Sequence, residues 1–270
     1  LLPGSVFNYQ SPPEGKVLHL PFEDTPTTED ILTFRDISGT NHDGHCSGES
    51  CPSADTGHPG NAMRFDGVDD VVLTDLSDVG SPDEGYQRTV AFWFKPANLG
   101  GPTRQVLFDQ GNFWIGFNLF LQYGRLHAGL WSYENYESGG ETVSRVIYDS
   151  IQTEVEPLHW YYETEPQWHH VALVMADHVL DGQVELYLDG QLAKGSTTSL
   201  LESASRWDRY QQIGIGRAVS VTRDYDDTVT DGWAFEGAVD DVQVFANDLS
   251  AGDIKAIYVG SDPVLNLPFD

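Results

Sequence analysis

Apolar and polar residues alternate along much of this chain with the two-residue period of a β-strand. In Thr89–Lys95, Val90, Phe92 and Phe94 share one face and Ala91 and Trp93 the other. In Gln183–Leu188, Val184, Leu186 and Leu188 face one way and Glu185 and Tyr187 the other. One buried and one solvated face is the pattern of antiparallel sheets. The same reading places strands at Val17–Phe22, Ala62–Phe65, Asp70–Leu73, Gln105–Asp109, Phe113–Gln122, Leu126–Trp131, Thr142–Tyr148, Trp168–Met175, Gln211–Gly216 and Ala234–Phe245. Gly, Asp, Asn and Pro punctuate these runs, and Asp189-Gly190 between two of them signals a tight hairpin. Helical spacing is confined to Asp248–Tyr258, where Ser250 can cap the helix and Asp253 follows three residues later. About twelve strands and one short C-terminal helix predict an all-β fold, a two-sheet antiparallel jelly-roll sandwich.

Composition supports a packed core. The chain has 270 residues, of which 40% are hydrophobic and 12% aromatic; that is ample for one large all-β domain and argues against disorder. No run approaches the ~18 apolar residues that a membrane helix needs. Leu1–Gly4 is apolar but too short for a signal peptide and has no basic start, so a secretion signal, if any, is expected upstream or already removed. Charge is the extreme feature: 42 acidic against 14 basic residues give a formal net charge of −28. Such a surface repels phosphate backbones and anionic membranes, so neither nucleic acid nor membrane insertion is expected. The excess carboxylate suits either a salt-adapted, soluble surface or divalent cations.

Two cysteines occur, Cys46 and Cys51, with four residues between them. A zinc site needs more ligands at fixed spacing, and a redox motif needs two intervening residues. A local disulfide pinning a Gly/Ser loop is the preferred reading and implies an oxidising compartment; two reduced thiols are the alternative. Near the end of the sequence, Val264-Leu265-Asn266-Leu267-Pro268-Phe269-Asp270 repeats the pattern of Val17-Leu18-His19-Leu20-Pro21-Phe22-Glu23 after the linker Val259–Pro263. Either a second copy of the domain begins there, making the chain part of a tandem array, or the tail is a last strand of this domain.

Several segments resemble laminin-G-like domains of the concanavalin A-like lectin/glucanase superfamily. They are Leu18–Asp24, the turn Asp36-Ile37-Ser38-Gly39-Thr40-Asn41-His42-Asp43-Gly44, Gly60–Asp70, Thr89–Pro96, Trp168–Leu173 with Leu186–Gly190, Ile213–Gly216, Phe235–Phe245 and the closing helix. They stand in the family's order across residues 17–258. The resemblance implies a concanavalin A-like sandwich over residues 17–258; residues 1–16 then read as lead-in, and the recurrence at Val264–Asp270 makes 259–270 the linker and start of a possible next repeat. It further implies that the first and last strands are neighbours and that a structural calcium sits near them.

Calcium takes six to eight hard oxygen ligands. Candidate ligands are Glu23 and Asp24 after the first strand, Asn41, Asp43 and Gly44 in the Gly-rich turn, and Asp240 and Asp241 inside the apolar last strand. Two adjacent carboxylates in such a strand are costly unless paired or metal-bound. Hydrogen bonds from turn amides, or ion pairs with Arg35 or Arg217, are the alternatives. Asp66-Gly67-Val68-Asp69-Asp70 reads first as a turn, and Asp224–Asp227 with Asp231 as a solvated loop. His169 and His170, adjacent in a strand, face opposite ways and cannot chelate one ion together.

The segment Tyr133–Gln167 carries Tyr133, Tyr136, Trp160, Tyr161 and Tyr162 among many glutamates. Rings beside carboxylates suit sugar stacking or a protein interface; a loop packed on its own aromatics is the plain alternative. No Glu-x-Asp-x-Glu strand triplet, nucleophile elbow or metalloprotease motif occurs, so no catalysis is expected. The expectation is a non-catalytic, extracellular, calcium-binding adhesion or structural repeat of a larger surface protein. A carbohydrate-binding module is the alternative, with a glycan hydrolase behind it. Partners would then be a glycan or a neighbouring repeat.

Overall fold

The computed structural model describes residues 13–23, 31–77, 79, 87–98, 102–112, 115–138, 141–154, 166–176, 182–198, 212–219, 222–223, 229–230 and 233–260. In chain order the strands are β1 (Lys16–Leu20), β2 (Ile31–Phe34), β3 (Gly44–Ser47), β4 (Ser53–Thr56), β5 (Asn61–Asp66) and β6 (Val72–Asp75). Then come β7 (Arg88–Pro96), β8 (Gln105–Gly111), β9 (Gly116–Gln122), β10 (Arg125–Ser138), β11 (Glu141–Glu154) and β12 (His169–Ala176). The last are β13 (Gly182–Leu188), β14 (Gln191–Thr198), β15 (Gln212–Ile215), β16 (Thr222–Arg223), β17 (Val229–Thr230) and β18 (Glu236–Phe245), followed by helix α1 (Ala251–Gly260). The first sheet runs β14-β13-β12-β7-β18-β5-β4, with β1 also beside β18. The second runs β11-β10-β9-β8-β15-β6-β3-β2, and β16-β17 form a small ribbon. The ladders are antiparallel, as the sequence predicts.

The core lies between the two sheets. Val90, Phe92 and Phe94 of β7, Val171, Leu173 and Met175 of β12, and Val239, Val242 and Val244 of β18 meet Phe108, Phe117, Leu119, Leu130 and Ile215 of the second sheet. Each large side chain so buried contributes on the order of 2 kcal/mol. The expected solvated face is absent from the centre of the first sheet: β12 is buried at every position and β7 at all but Lys95. Helix α1 covers that face, seating Leu249, Ile254 and Ile257 on Ala91, Ala172, Val174, Tyr187 and Phe245. Alanines at outward positions leave room for the helix. Its start carries the predicted capping pair, with the Ser250 hydroxyl 2.6 Å from Asp253 and the Asp253 N–H donating back at 3.2 Å.

Other local expectations also appear. Asp189 and Gly190 make the hairpin turn with φ of 51° and 70°. Cys46 and Cys51 are disulfide-bonded across the short turn Gly48–Ser50. The segment beginning at Tyr133 differs from the expected insert. β10 and β11 pair over fourteen residues each, whereas β9 follows β10 only as far as Trp131 opposite Gly116. The remainder is a two-stranded ribbon running past the sheet. The chain also forms the short strands β2, β3 and β4, which the alternation does not single out. Among the described residues, no helix is long and apolar enough to cross a membrane.

One carboxylate seals the edge of β1. Asp36, 6% exposed, accepts from the N–H groups of His19, Ser38 and His42 and from the hydroxyls of Ser38 and Thr40, at 2.8–3.0 Å. The carbonyl of His19 accepts from Ile37, and that of Val17 from Thr40. Burial works to raise the pKa of Asp36, but the donors of His42, Ser38 and His19 outweigh it and hold the group down at about 2. A carboxylate with a depressed pKa adds stability above its ordinary pKa near 4 and loses it as the pH falls through about 2. Asp36→Ala is therefore expected to lower unfolding free energy at pH 7 by about 3 kcal/mol, measured by urea titration. The gap to wild type should narrow as pH drops from about 4 to about 2, and equal stability at pH 7 would refute the role.

Candidate functional site

A phase slip in β18 builds the site. Val239, Val242 and Val244 all enter the core, although strict alternation would send 239 and 242 to opposite faces. The ladder to β7 slips between Asp240 and Gln243, and Asp241 adopts φ 51°. This is a β-bulge, the usual means of re-aiming side chains. It leaves Asp240 and Asp241 together on the side away from the core. They line a cleft of about 280 Å³ with His19, Pro21, Glu23, His58, Pro59, Gln243 and Gly260. β1 supplies His19 and the residues just beyond it, the β4–β5 turn supplies His58, and Gly260 ends helix α1.

Each carboxylate is oriented by the chain. Asp240 Oδ2 accepts the His58 N–H at 2.6 Å, and a side chain at Gly57 would collide with that oxygen. Glu23 Oε2 accepts the Asn61 N–H at 3.2 Å. Gly60, at φ 86°, has no space for a Cβ beside the Glu23 carboxylate. Asp241 meets His19 Nε2 at 2.6 Å and Gln243 Nε2 at 2.7 Å. Behind Asp240, the cross-strand neighbour is Trp93, sandwiched by His58 at 3.7 Å and Tyr258 at 5.5 Å. Asp240 is 1% exposed. Burial lifts its pKa to about 7, the His58 N–H opposes this, and the charges of Asp241 and Glu23 add to the rise.

The predicted cation ligands divide. Glu23, Asp240 and Asp241 share the cleft; Asp24 lies outside the described residues. Asn41, Asp43 and Gly44 belong to the Asp36 turn and do not line it. Asp43 Oδ1 accepts the Asp36 N–H at 2.7 Å, Asn41 takes a left-handed φ of 65°, and Gly44 packs under Val72 and Leu20. His19 connects the two groups, donating its N–H to Asp36 while its ring meets Asp241. His19, His58 and Gln243 escape the sequence reading. Their partners are up to 222 residues away, and nothing local marks them beyond the polar position each occupies.

The acidic turn after β5 is a second cluster. One carboxylate oxygen from each of Asp66, Asp69 and Asp70 lies within 4.8 Å of the others. Turn donors already engage them: Asp70 accepts the Asp66 N–H at 2.8 Å, Asp66 accepts the Val68 N–H at 2.8 Å, and Asp69 accepts the Ser50 hydroxyl at 3.1 Å. Burial, against the Asp66 N–H and with the Asp66 and Asp69 charges, raises the Asp70 pKa. Of the aromatic candidates, Tyr133 and Tyr136 stand three positions apart in the β10–β11 ribbon, opposite Val146 and Val143. Trp160, Tyr161, Tyr162, Asp224–Asp227 and Asp231 lie outside the described residues. His169 meets Asp189 at 3.1 Å, whereas His170 packs edge-on against Trp93, so the pair does divide between faces.

The fold is a two-sheet antiparallel sandwich with an acidic cleft where its first and last strands meet. The Laminin_G_3 family model, described as the concanavalin A-like lectin/glucanases superfamily, matches residues 66–255, and the chain belongs to that superfamily. No curated relative matches by sequence. Among solved structures, the botulinum neurotoxin serotype D binding domain is similar at 17% identity and TM-score 0.60, over 91% of this chain and 52% of that one. The serotype D/C VPI 5993 binding domain aligns at 13% identity and TM-score 0.63, over 92% and 53%. The serotype D ligand-binding domain, solved with N-acetylneuraminic acid, aligns at 16% and 0.59, over 91% and 51%. This chain thus spans about half the length of each, and the likeness establishes the shared fold.

A carboxyl that keeps its proton up to about pH 7 in the fold, but ionises near 4 when unfolded, costs stability as pH rises through that window. Below it both states are protonated; above it both are ionised. In EDTA, wild type is expected to lose a few kcal/mol relative to Asp240→Asn between pH 4 and pH 7, followed by thermal midpoints. Parallel curves would show that Asp240 is ionised throughout.

Proposed function

We propose that this chain is a non-catalytic binding module of an extracellular or cell-surface protein, stabilised by calcium in the Glu23–Asp240–Asp241 cleft. The observation that carries this reading is the bulge that sets two adjacent carboxylates in the cleft that Glu23 also lines, with Asp240 withdrawn from water among negative charges. The cleft supplies carboxylate oxygens, the donors a hard divalent ion takes, with the Gln243 side chain beside them; they do not converge within 4.8 Å as those of Asp66, Asp69 and Asp70 do, so side-chain movement would accompany binding, and a cation would offset the Asp241 and Glu23 charges that add to the burial-driven rise of the Asp240 pKa. Glu23, Asp240 and Asp241 would hold the ion, which would tie the end of β1 to β18 and to the β4–β5 turn. His19, now on Asp241, is the group such an ion would compete with.

The disulfide supports an oxidising, extracellular setting. The recurrence of the β1 pattern at Val264–Asp270 supports a tandem array in an adhesion or structural protein. Absence of a Glu-x-Asp-x-Glu triplet from the strands supports a binding role rather than hydrolysis. A saccharide ligand is the second reading, consistent with the superfamily's description and with the bound N-acetylneuraminic acid of one structural neighbour.

Millimolar calcium added to the EDTA-treated protein is expected to raise the thermal midpoint by about 5–10 °C, as a ligand near 100 times its Kd does for a domain of this size. Asp240→Ala and Asp241→Ala should abolish the rise. An unchanged midpoint for wild type would remove calcium from the assignment and leave a metal-free module.

A further inference from the structure

Resting on the binding-module reading, we propose that a pocket beside the start of helix α1 receives a lysine or arginine side chain of a partner polypeptide. The outer face of the first sheet is laid out in rows across β7, β12 and β13. Ala91, Ala172 and Tyr187 form one row, and Thr89, Val174 and Glu185 the next. Ala176 and Gln183 stand opposite each other one row further. Leu249, Ile254 and Ile257 pack over the first row and Val174, and that cover stops short of Ala176 and Gln183. A pocket of about 230 Å³ opens there, between the two strands and the residues Asp248, Leu249 and Ser250 that lead into the helix. It shares no residue with the cation cleft.

The walls of this pocket are fixed by the fold. Thr89, fully buried, donates its hydroxyl to the Asn247 carbonyl at 2.9 Å and accepts the Leu249 N–H at 3.0 Å. The chain is thereby pinned on either side of Asp248. Tyr187, 3% exposed, donates its hydroxyl to Glu185 Oε2 at 2.6 Å, which orients that carboxylate. The positive end of helix α1 is already met by Asp253, which accepts the Ser250 N–H at 3.1 Å and hydroxyl at 2.6 Å. The field in the pocket is therefore left to Glu185 and Asp248. Among the described residues no lysine, arginine or histidine lines it.

Two half-buried carboxylates beside an apolar floor suit a side chain with an apolar stem and a cationic head. Val174, Ala176 and Leu249 take the methylene stem. Glu185 and Asp248 take the head, with the Gln183 carbonyl oxygen at the rim. Directly opposed positions on neighbouring antiparallel strands hold their Cβ atoms ~5 Å apart, so the floor at Val174 and the carboxylate of Glu185 lie within the reach of one extended lysine.

Other occupants fit less well. A bare calcium ion takes six to eight oxygens, whereas three of the seven lining residues are apolar. An anion would meet both carboxylates. No aromatic ring lines the pocket, so a sugar face finds nothing to stack on. A purely apolar side chain would strip water from the carboxylates and offer them no partner. Charge selects the source of the cation: with 42 acidic and 14 basic residues, this chain repels a second copy of itself and draws a basic polypeptide. Gln183 and Ser250 at the rim are exposed, so a side chain protruding from a partner's surface enters without rearranging strand or helix. One such contact is weak alone, with a Kd on the order of millimolar, and acts as an anchor within a larger interface.

The test is methyl NMR of the full chain at about 0.15 M salt, titrated with capped glycine peptides that carry one lysine, arginine, Nε-acetyl-lysine or norleucine. The lysine or the arginine peptide is expected to shift the Val174, Ala176 and Leu249 methyls saturably at millimolar concentration. The uncharged acetyl-lysine and norleucine peptides should bind about tenfold more weakly. Glu185→Gln, which still accepts from Tyr187, and Asp248→Asn should each weaken the charged peptide about threefold to tenfold, and Ala176→Leu should abolish its binding by filling the floor. Four outcomes overturn the proposal: no saturable shift at these methyls, equal binding of the norleucine peptide, binding unchanged in both carboxamide variants, or the same methyl shifts produced by calcium alone. The calcium-dependent thermal midpoint is measured on wild type and the same variants. It should not respond to Glu185→Gln or Asp248→Asn, so failure of this pocket is seen separately from failure of the cation cleft.

Discussion

Strand β18 must satisfy three neighbours at once. β7 lies along one flank, while β5 and β1 share the other, β5 beside Glu236–Val239 and β1 beside Val242–Phe245. A regular strand could not serve both halves with one hydrophobic phase, because Val239 and Val242 are both needed in the core. The bulge at Asp241 resolves the conflict by adding one residue. Everything particular to the cleft follows: two carboxylates on one side, a histidine of β1 within reach, and a tryptophan of β7 behind. The site is thus the place where the sandwich changes partners.

Much of this is written in the sequence. Apolar positions 239, 242 and 244 break alternation once, between the two aspartates, and that break is the bulge. The Ser250–Asp253 cap, the Asp189-Gly190 turn and the alternation of β7 are equally local, and each forms. Covering of the first sheet's outer face is less visible because alternation reports one face only. Ala91, Trp93, Ala172 and Val174, all apolar at outward positions, are the signal that another layer packs there. The cleft was half legible. Its carboxylates stand out as charges in an apolar run, whereas His19 and His58 are ordinary polar residues until strand pairing brings them across the chain. The turn residues Asn41, Asp43 and Gly44 looked like ligands because Gly-rich acidic turns serve cations and backbone amides equally well. Here Asp36 and Asp43 are committed to amides.

The two faces of the molecule use buried polar groups differently. On the first sheet, Glu23, Asp240 and Asp241 line one cleft, and the negative charges of Glu23 and Asp241 act on the buried Asp240. On the second, the buried polar groups are mixed: the Asp109 carboxylate, the Asn118 amide, the neutral His127 imidazole and the Arg217 guanidinium, with aromatic rings around them. That mixture is nearly balanced in donors and acceptors. One fold therefore holds two chemically distinct polar clusters, each set by which residues the outward strand positions carry.

The Asp36 turn has a bearing on how such molecules behave side by side. A strand that ends a pairing pattern normally presents a row of amides and carbonyls ready to recruit a strand from another chain. Along β1 those groups are already occupied by Asp36, Ile37 and Thr40. A neighbouring molecule, or a misfolded one, finds no ladder to extend there, and a surface of net charge −28 resists close approach. Crowded copies can thus lie next to one another without nucleating β-aggregation at this edge.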